Sequence, residues 1–290
     1  MVWHDVSQPS APSIGDFQAT DLQGVLSPAA QWLEQVGVAE DAWPVDEPQG
    51  RATQGDLEQC ELLFDEVQTR RLLREAPTAL DARMDEILLA ALVQALKASG
   101  GLDESLIALE GHGREALSED LDVGRTVGWF TSLFPVRLRS AGSLGQTLLG
   151  VRDTVRGLPD KGVGFGLLRY LGTEPVRQRL AGLPEPKVVF NYLGQFDQDL
   201  GDGRFAPAKT SAGALIDPAT PLNRELEING QVFAGQLGLT FRFVHRPGTC
   251  LVGHALAGKQ RQRAGSAGVG HGQSVAGFGL DRCRPPFDRP

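Results

Sequence analysis

Between Leu57 and Val244 the chain switches repeatedly between two hydrophobic periods: short runs of strand length, and longer stretches with helical spacing. Glu58–Phe64 reads as a strand. Asp65-Glu-Val-Gln68 then forms a capping box, and the helix it opens should stop before Pro77. Met84, Ile87, Leu88, Ala91, Leu92 and Ala95 recur at helical spacing, with Gly100-Gly101 as the stop. Ser105–Leu109 suits a buried strand, and Phe134–Leu138 a second. Ser143-Leu-Gly-Gln146 opens another helix, with Leu144, Leu148, Val151 and Val155 on one face. The glycine-rich stretch Lys161–Gly166 reads as a loop before a helix starting near Leu167. Lys187–Leu193 is a buried strand. Leu226–Phe243 predicts a hairpin turning at Asn229-Gly230, with Leu237, Leu239, Phe241 and Phe243 alternating inward. Strands interleaved with helices and closed by a hairpin define an α/β layered domain with a mixed sheet.

The ends differ from this centre. Residues 1–56 carry scattered Pro, Ser, Gly and Gln, with Trp3, Trp32 and Trp43 as isolated anchors and one short helix within Pro28–Val38. From His245 to Pro290 there are seven basic and two acidic residues, a net of +5. The whole chain carries 28 Lys and Arg against 36 Asp and Glu, so the part before the tail has a net charge of −13. The tail also holds nine glycines and no sustained period. It reads either as a disordered basic tail or as a stretch in which the reading frame was lost near Val244. The chain therefore divides into an irregular segment 1–56, a lobe 57–244 and a tail 245–290.

Composition narrows the partners. An overall charge of −8 disfavours nucleic acid as the main ligand. The longest apolar run, Ile87–Val93, is far short of the roughly 20 residues of a membrane span. The first residues have neither a basic start nor an apolar core, which argues against secretion. Cys60, Cys250 and Cys283 lie too far apart for a disulfide framework or a zinc cluster. The expected compartment is the reducing cytoplasm.

Chemistry concentrates in Glu110-Gly-His-Gly-Arg-Glu115. A carboxylate directly after a buried strand can be desolvated, which raises its pKa towards that of a general base. Arg114 could hold that carboxylate or bind a carbonyl or phosphate oxygen. A solvated turn with an incidental ion pair, or a metal site from Glu110, His112 and Glu115, are the other readings; the spacing fits no zinc pattern. Gly162, Gly164 and Gly166 lack the Gly-Lys-Ser/Thr ending of a phosphate loop and suit a flexible turn at a channel mouth. No Gly-x-Ser-x-Gly elbow occurs, and Cys60 reads as a core residue. Asn191 and Tyr192 interrupt an apolar strand, so they either hydrogen-bond in the core or line a site.

The ordered series Asp85–Ala90, Glu110–Glu115, Arg125-Thr-Val-Gly-Trp-Phe-Thr131, Pro159–Gly166 and Phe190-Asn-Tyr-Leu-Gly194 resembles the epimerization domain of nonribosomal peptide synthetases, over roughly residues 30–243. That resemblance implies one lobe, the C-terminal one, of a two-lobed chloramphenicol-acetyltransferase-like fold. It also implies a substrate carried as an aminoacyl or peptidyl thioester on the phosphopantetheine arm of a peptidyl carrier protein, whose Cα is inverted from L towards D. By position, Glu110 resembles the acid/base on one face of Cα, Arg114 supports its loop, and Asn191 and Tyr192 sit near the enolate or the second proton path. His112 shapes the loop, and His112, Trp129, Phe130 and Gly164 face the substrate. No metal or soluble cofactor is implied; the implied partners are the carrier and other synthetase domains, with a separate N-terminal lobe as a further candidate. The family's His-His-x-x-x-Asp-Gly motif is missing, since the five histidines include no adjacent pair. The chain is thus expected to start after that motif and to be inactive alone. A non-catalytic docking module and a condensation-type acyltransferase fragment are the alternatives.

Overall fold

A computed structural model describes residues 29–37, 52–115, 123, 125–195, 213, 216–222 and 224–244. The two alternative readings of the tail 245–290, and Trp3 and Trp43, lie outside the described residues. The described chain forms one mixed six-stranded sheet with flanking helices. In chain order these are helix α1 (Ala29–Val36), strand β1 (Leu57–Leu63), helices α2 (Glu66–Arg70), α3 (Ala76–Leu80) and α4 (Met84–Gly100), strands β2 (Glu104–Gly111) and β3 (Ser132–Arg139), helices α5 (Leu144–Arg156), α6 (Val163–Leu171) and α7 (Glu174–Ala181), and strands β4 (Val188–Gln195), β5 (Leu226–Phe233) and β6 (Gln236–Val244). The strand order is β1-β6-β5-β4-β2-β3. Its centre, β5-β4-β2, is parallel, and the antiparallel pairs lie outside it.

Strand formation follows the apolar runs. Leu106, Ile107, Leu138, Val188, Leu226 and Leu237 are among the most deeply buried side chains. Helix α1 adds Trp32, fully buried, with its ring edge-on to Phe165 at 5.2 Å and tilted on Phe134 at 6.1 Å. It therefore packs in the same core as the strands, although it belongs to the segment read as irregular. Cys60 is buried, as the sequence suggests.

Several local expectations are corrected. The Asp65 capping box forms, with the Gln68 N–H donating to Asp65 Oδ1 at 2.8 Å. The helical path does not stop before Pro77, however. Residues Arg71–Glu75 make a π-helical turn, and α3 carries Pro77 in its first turn, where the missing N–H is not needed. Helix α4 buries Met84, Glu86, Leu88, Leu89, Ala90, Val93 and Leu96, whereas Ala95 is exposed. It is apolar around most of its girth, so periodicity alone chose the wrong stripe. On α5 Leu144 is exposed, and Thr147 takes the buried place beside Leu148 and Val151. The stretch read as a glycine loop is a tight turn, Pro159–Gly162, with Asp160 and Lys161 left-handed, running into α6 at Val163, so Gly164 and Gly166 are helical.

The final hairpin turns elsewhere than expected. Its central residues are Ala234 and Gly235, both at positive φ (49° and 71°), the signature of a type I′ turn. Asn229-Gly230 lies inside β5, paired with Thr240 and Leu239. Strand β6 then pairs with β1 from Gly238 against Leu63 to Val244 against Leu57. The described part of β6 reaches Val244.

Truncating Trp32 to Ala is expected to cost about 3–5 kcal/mol in urea unfolding, as for other buried large-to-small changes. A loss below about 1 kcal/mol would show that α1 is not part of the core.

Candidate active site at the ends of the parallel strands

Leu109 on β2 faces Phe190 on β4 in parallel register, both buried in the core. Side chains alternate along a strand, so the next residue on each, Glu110 and Asn191, turns to the other face. There the Asn191 Nδ2 donates to Glu110 Oε2 at 2.7 Å. Open α/β sheets place ligands beyond the carboxyl ends of parallel strands, and a cavity of about 820 Å³ lies at this end, bordered by both residues. The parallel pairing of β2 with β4 ends at Leu109–Phe190; beyond it Glu110 and Gly111 stay paired to β3 and Asn191 and Tyr192 to β5, and these residues border the cavity.

Glu110 is half-buried, and burial pushes its carboxyl above the usual carboxylate range. The nearby positive charge of Arg224 opposes that, the negative charge of Glu227 adds to it, and the Asn191 hydrogen bond opposes it; the direction remains upward. Tyr192, also half-buried, has its phenol pushed up by burial and by the charge of Asp85. Its ring lies over Gly230, where a Cβ would sit 3.2 Å from Tyr192 Cδ2.

Arg114 does not pair with Glu110. Its Nη1 donates to the carbonyls of Val123 (2.6 Å) and Thr126 (2.9 Å), and its guanidinium stacks on Phe130 at 4.2 Å. Its backbone N–H donates to His112 Nδ1 at 3.0 Å, and His112 Nε2 lies 3.3 Å from Glu115. Both residues thus make contacts within and between the two motif loops. Gly113 is at φ 67°, and a side chain there would collide with the Phe130 carbonyl, which pins the two motif loops together. Of the three candidate metal ligands, Glu110 is bonded to Asn191 while His112 lies against Glu115.

His112, Trp129 and Phe130 border the cavity along with Glu110, Arg114, Asn191 and Tyr192. Trp129 is almost wholly exposed (97%). Gly164 does not border it. It is buried within α6, where the Asp160 carboxylate occupies the space a side chain would need.

Sequence reasoning missed Arg83, Asp85, Arg156 and Lys161 on the cavity wall. It also placed the acidic helix motif one residue early. Glu86, not Asp85, begins the spacing acid-x-Leu-Leu-x-Ala (Glu86, Leu88, Leu89, Ala91). Glu86 is fully buried and receives Arg156 Nε at 2.9 Å, Arg156 Nη2 at 3.0 Å and the Arg83 N–H at 2.7 Å. Burial alone would raise its pKa; the Arg156 and Arg83 bonds and charges more than reverse that, leaving it lowered. Asp85 instead faces the cavity, bonded to Arg83 at 3.1 and 3.2 Å. The signal was present in the helical spacing, since only one of two adjacent acids can lie on the buried face.

The cavity thus combines a half-buried carboxyl of raised pKa, an amide holding it and, elsewhere on its border, a tyrosine, at the strand ends of a mixed α/β sheet. This chain belongs to the condensation domain family, whose model matches residues 21–243. Among solved structures it resembles the epimerization domain from the third module of tyrocidine synthetase B, with 28% identity and a TM-score of 0.73 over 89% of this chain and 60% of that one. A condensation domain for chain release from the enacyloxin polyketide synthase shares the fold at a TM-score of 0.53 and 14% identity, over 85% of this chain and 48% of that one. Bacitracin synthase 3 of Bacillus licheniformis is 34% identical over 217 residues, 74% of this chain and 3% of that protein. Gramicidin S synthase 1 of Brevibacillus brevis is 37% identical over 186 residues, 61% of this chain and 17% of that one. The chain thus spans less than a fifth of the length of either synthase. No helix among the described residues is long and apolar enough to cross a membrane.

Because folding raises the Glu110 pKa, the fold favours its protonated form. The stabilisation that this gives is present below the unfolded carboxylate range and is lost as pH rises through the raised value. Glu110→Gln is neutral throughout, so it should melt higher than the parent near pH 8, with the difference vanishing at about pH 4. Equal melting temperatures near pH 8 would show that the ionised carboxylate is not strained by its surroundings.

Proposed function

We propose that this chain supplies one acid/base wall of an epimerization site of the nonribosomal peptide synthetase type. The substrate is an aminoacyl or peptidyl thioester on the phosphopantetheine arm of a peptidyl carrier protein, and the working partners are that carrier and neighbouring synthetase domains in the cytoplasm. The observation that carries this reading is Glu110: a half-buried carboxyl of raised pKa, held by Asn191 at 2.7 Å, on a cavity large enough for an acyl group. Likeness to the tyrocidine synthetase epimerization domain at 28% identity supports it.

The chemistry is a proton transfer. A thioester acidifies the α-proton because the electron pair left behind delocalises into the carbonyl as an enolate. Ionised Glu110 takes that proton on one face of Cα, and a pKa raised towards neutrality makes it both a competent base and, once protonated, a competent acid. The Tyr192 phenol, kept protonated by its surroundings, can donate a hydrogen bond to the enolate oxygen. Inversion needs a second group on the opposite face. The 290 residues hold no His-His pair, and the chain spans 60% of the tyrocidine domain, so that group is assigned to the remainder of such a domain. Without it, a proton removed by Glu110 is returned to the face it left.

The condensation-domain match favours a second reading, acyl transfer to an amine with no proton exchange at Cα. One experiment separates the two. A carrier loaded with an aminoacyl thioester is incubated with the chain in deuterium oxide, and both label and chirality at Cα are read. The expected result is slow wash-in with retention of configuration, reduced about 100-fold or more by Glu110→Gln, the range for losing a general base. Wash-in no faster than without protein, or indifferent to Glu110→Gln, rejects the epimerization reading. Amide formation with an added aminoacyl carrier, without wash-in, selects acyl transfer. Binding of the loaded carrier with neither reaction would leave a docking module.

A further inference from the structure

Besides His112, four basic side chains border the cavity: Arg83, Arg114, Arg156 and Lys161. Three are already engaged. Arg83 is spent on Asp85 and Glu86, Arg156 on Glu86 and Asp81, and Arg114 on two carbonyls and the Phe130 ring. The Lys161 ammonium has no hydrogen-bond or ion-pair partner among the described residues.

Its placement is built rather than incidental. Asp160, Lys161 and Gly162 follow one another at φ 48°, 50° and 98°. Non-glycine residues rarely enter this left-handed region, and two in succession persist only where the surroundings over-determine them. Here they do. Pro159 and Gly162 are buried on either side of the pair, and the Phe134 ring fills the space a side chain on Gly162 would take. The Asp160 carboxylate lies against Gly164 at the start of α6, and the Lys161 N–H donates to the Leu158 carbonyl at 3.3 Å. The backbone is thereby held while the Lys161 side chain is left exposed at the cavity rim; Glu110, on the same cavity, is half-buried.

We propose that Lys161 is the receptor for a phosphate ester at the mouth of this cavity, taking the phosphate of the pantetheine arm while the thioester reaches inward to Glu110. This rests on the epimerization reading for the source of the phosphate, but not for the existence of the anion site. A lysine binds phosphate as a mobile point charge, which suits an anion that stays partly solvated at a rim. An enolate, by contrast, forms deeper, beside Glu110. Arg83 and Arg156 are compensated by Asp81, Asp85 and Glu86, and Arg114 keeps its charge but is held on two carbonyls and the Phe130 ring, which leaves Lys161 as the mobile cation at the rim.

The chain has five lysines, Lys97, Lys161, Lys187, Lys209 and Lys259, so reductive ¹³C-dimethylation gives a spectrum simple enough to assign by loss of one signal in Lys161→Met. The four other signals report whether that variant is folded. Methyl phosphate, phosphopantetheine and phosphate-free pantetheine are titrated in turn, and affinities are measured by calorimetry. The expected result is a shift of the Lys161 signal with methyl phosphate and with phosphopantetheine, and none with pantetheine. Affinity for phosphopantetheine should fall about tenfold in Lys161→Met and recover in Lys161→Arg. A Lys161 signal unmoved by both phosphate compounds overturns the proposal, and if phosphopantetheine nonetheless binds, the arm still enters the cavity without this lysine. A Lys161 shift with methyl phosphate, with no tighter binding of phosphopantetheine, upholds the anion site and rejects the pantetheine arm as its source.

Discussion

A single row of side chains runs across all six strands of the sheet: Phe134, Leu109, Phe190, Ile228, Phe241 and Cys60, each registered against the next. Five of them are buried and Phe241 packs partly buried beside them. Because side chains alternate, the adjacent row must face the other way, and it reads Leu133, Glu110, Asn191, Asn229, Thr240 and Glu61. The apolar row fixes the polar one. A slip of one residue between β2 and β4 would bury Glu110 without Asn191 beside it and push Leu109 or Phe190 to the other face, so the core's hydrophobic area defends the geometry of the site. The Glu110–Asn191 pair therefore needs no special stabilisation of its own register.

Around that row, the surroundings use charge for two different ends. Glu86 is an ion-paired acid at zero exposure, bonded to Arg156 and to the start of α4, and its carboxyl is held low. It ties α4 to the end of α5 and stays ionised. Glu110 is less buried but less compensated, so its carboxyl is pushed up. Burial raises both carboxyls; the hydrogen bonds and charges of Arg156 and Arg83 reverse that at Glu86, whereas the charge of Arg224 and one amide do not at Glu110. Arg114 could have been Glu110's compensating cation. Its use on two loop carbonyls and Phe130 instead keeps the loop rigid and leaves the carboxyl's affinity for a proton high.

Much of the fold was legible from pattern. The runs at Glu58–Phe64, Ser105–Leu109, Phe134–Leu138 and Lys187–Leu193 all gave strands, the last three as short apolar runs and the first as an edge strand whose burial alternates. The caps at Asp65, Ser143 and Gly101 were legible because a cap is a local hydrogen-bond requirement. Misreadings came where a local rule had a competitor. Asn-Gly is the strongest hairpin signal, yet Gly230 was wanted inside β5 for the space beside Tyr192 and Leu239, and the less typical Ala234 took the turn. Alternating glycines looked like a loop, yet their lack of side chains served the packing of Phe134 and Asp160 against a helix. Proline at 77 looked like a stop, and a π-helical turn carried the path past it.

What the sequence determined by itself was the α/β character, most element positions and the motifs whose order pointed to the family, since these depend on period, caps and residue spacing within short windows. Only the tertiary structure decided which face of α4 was buried, which acid at its start was the structural one, and that Arg114 served the loop rather than Glu110. It alone brought Asp85, Arg156 and Lys161 to the wall that Glu110 and Asn191 had begun, because those contacts join residues tens of positions apart. The physical reason is that a side chain's role follows from which neighbours compete for it. In a chain whose helix α4 is apolar on most sides and whose cavity mixes several acids with several bases, that competition is settled by packing across the fold and not by any pattern along it.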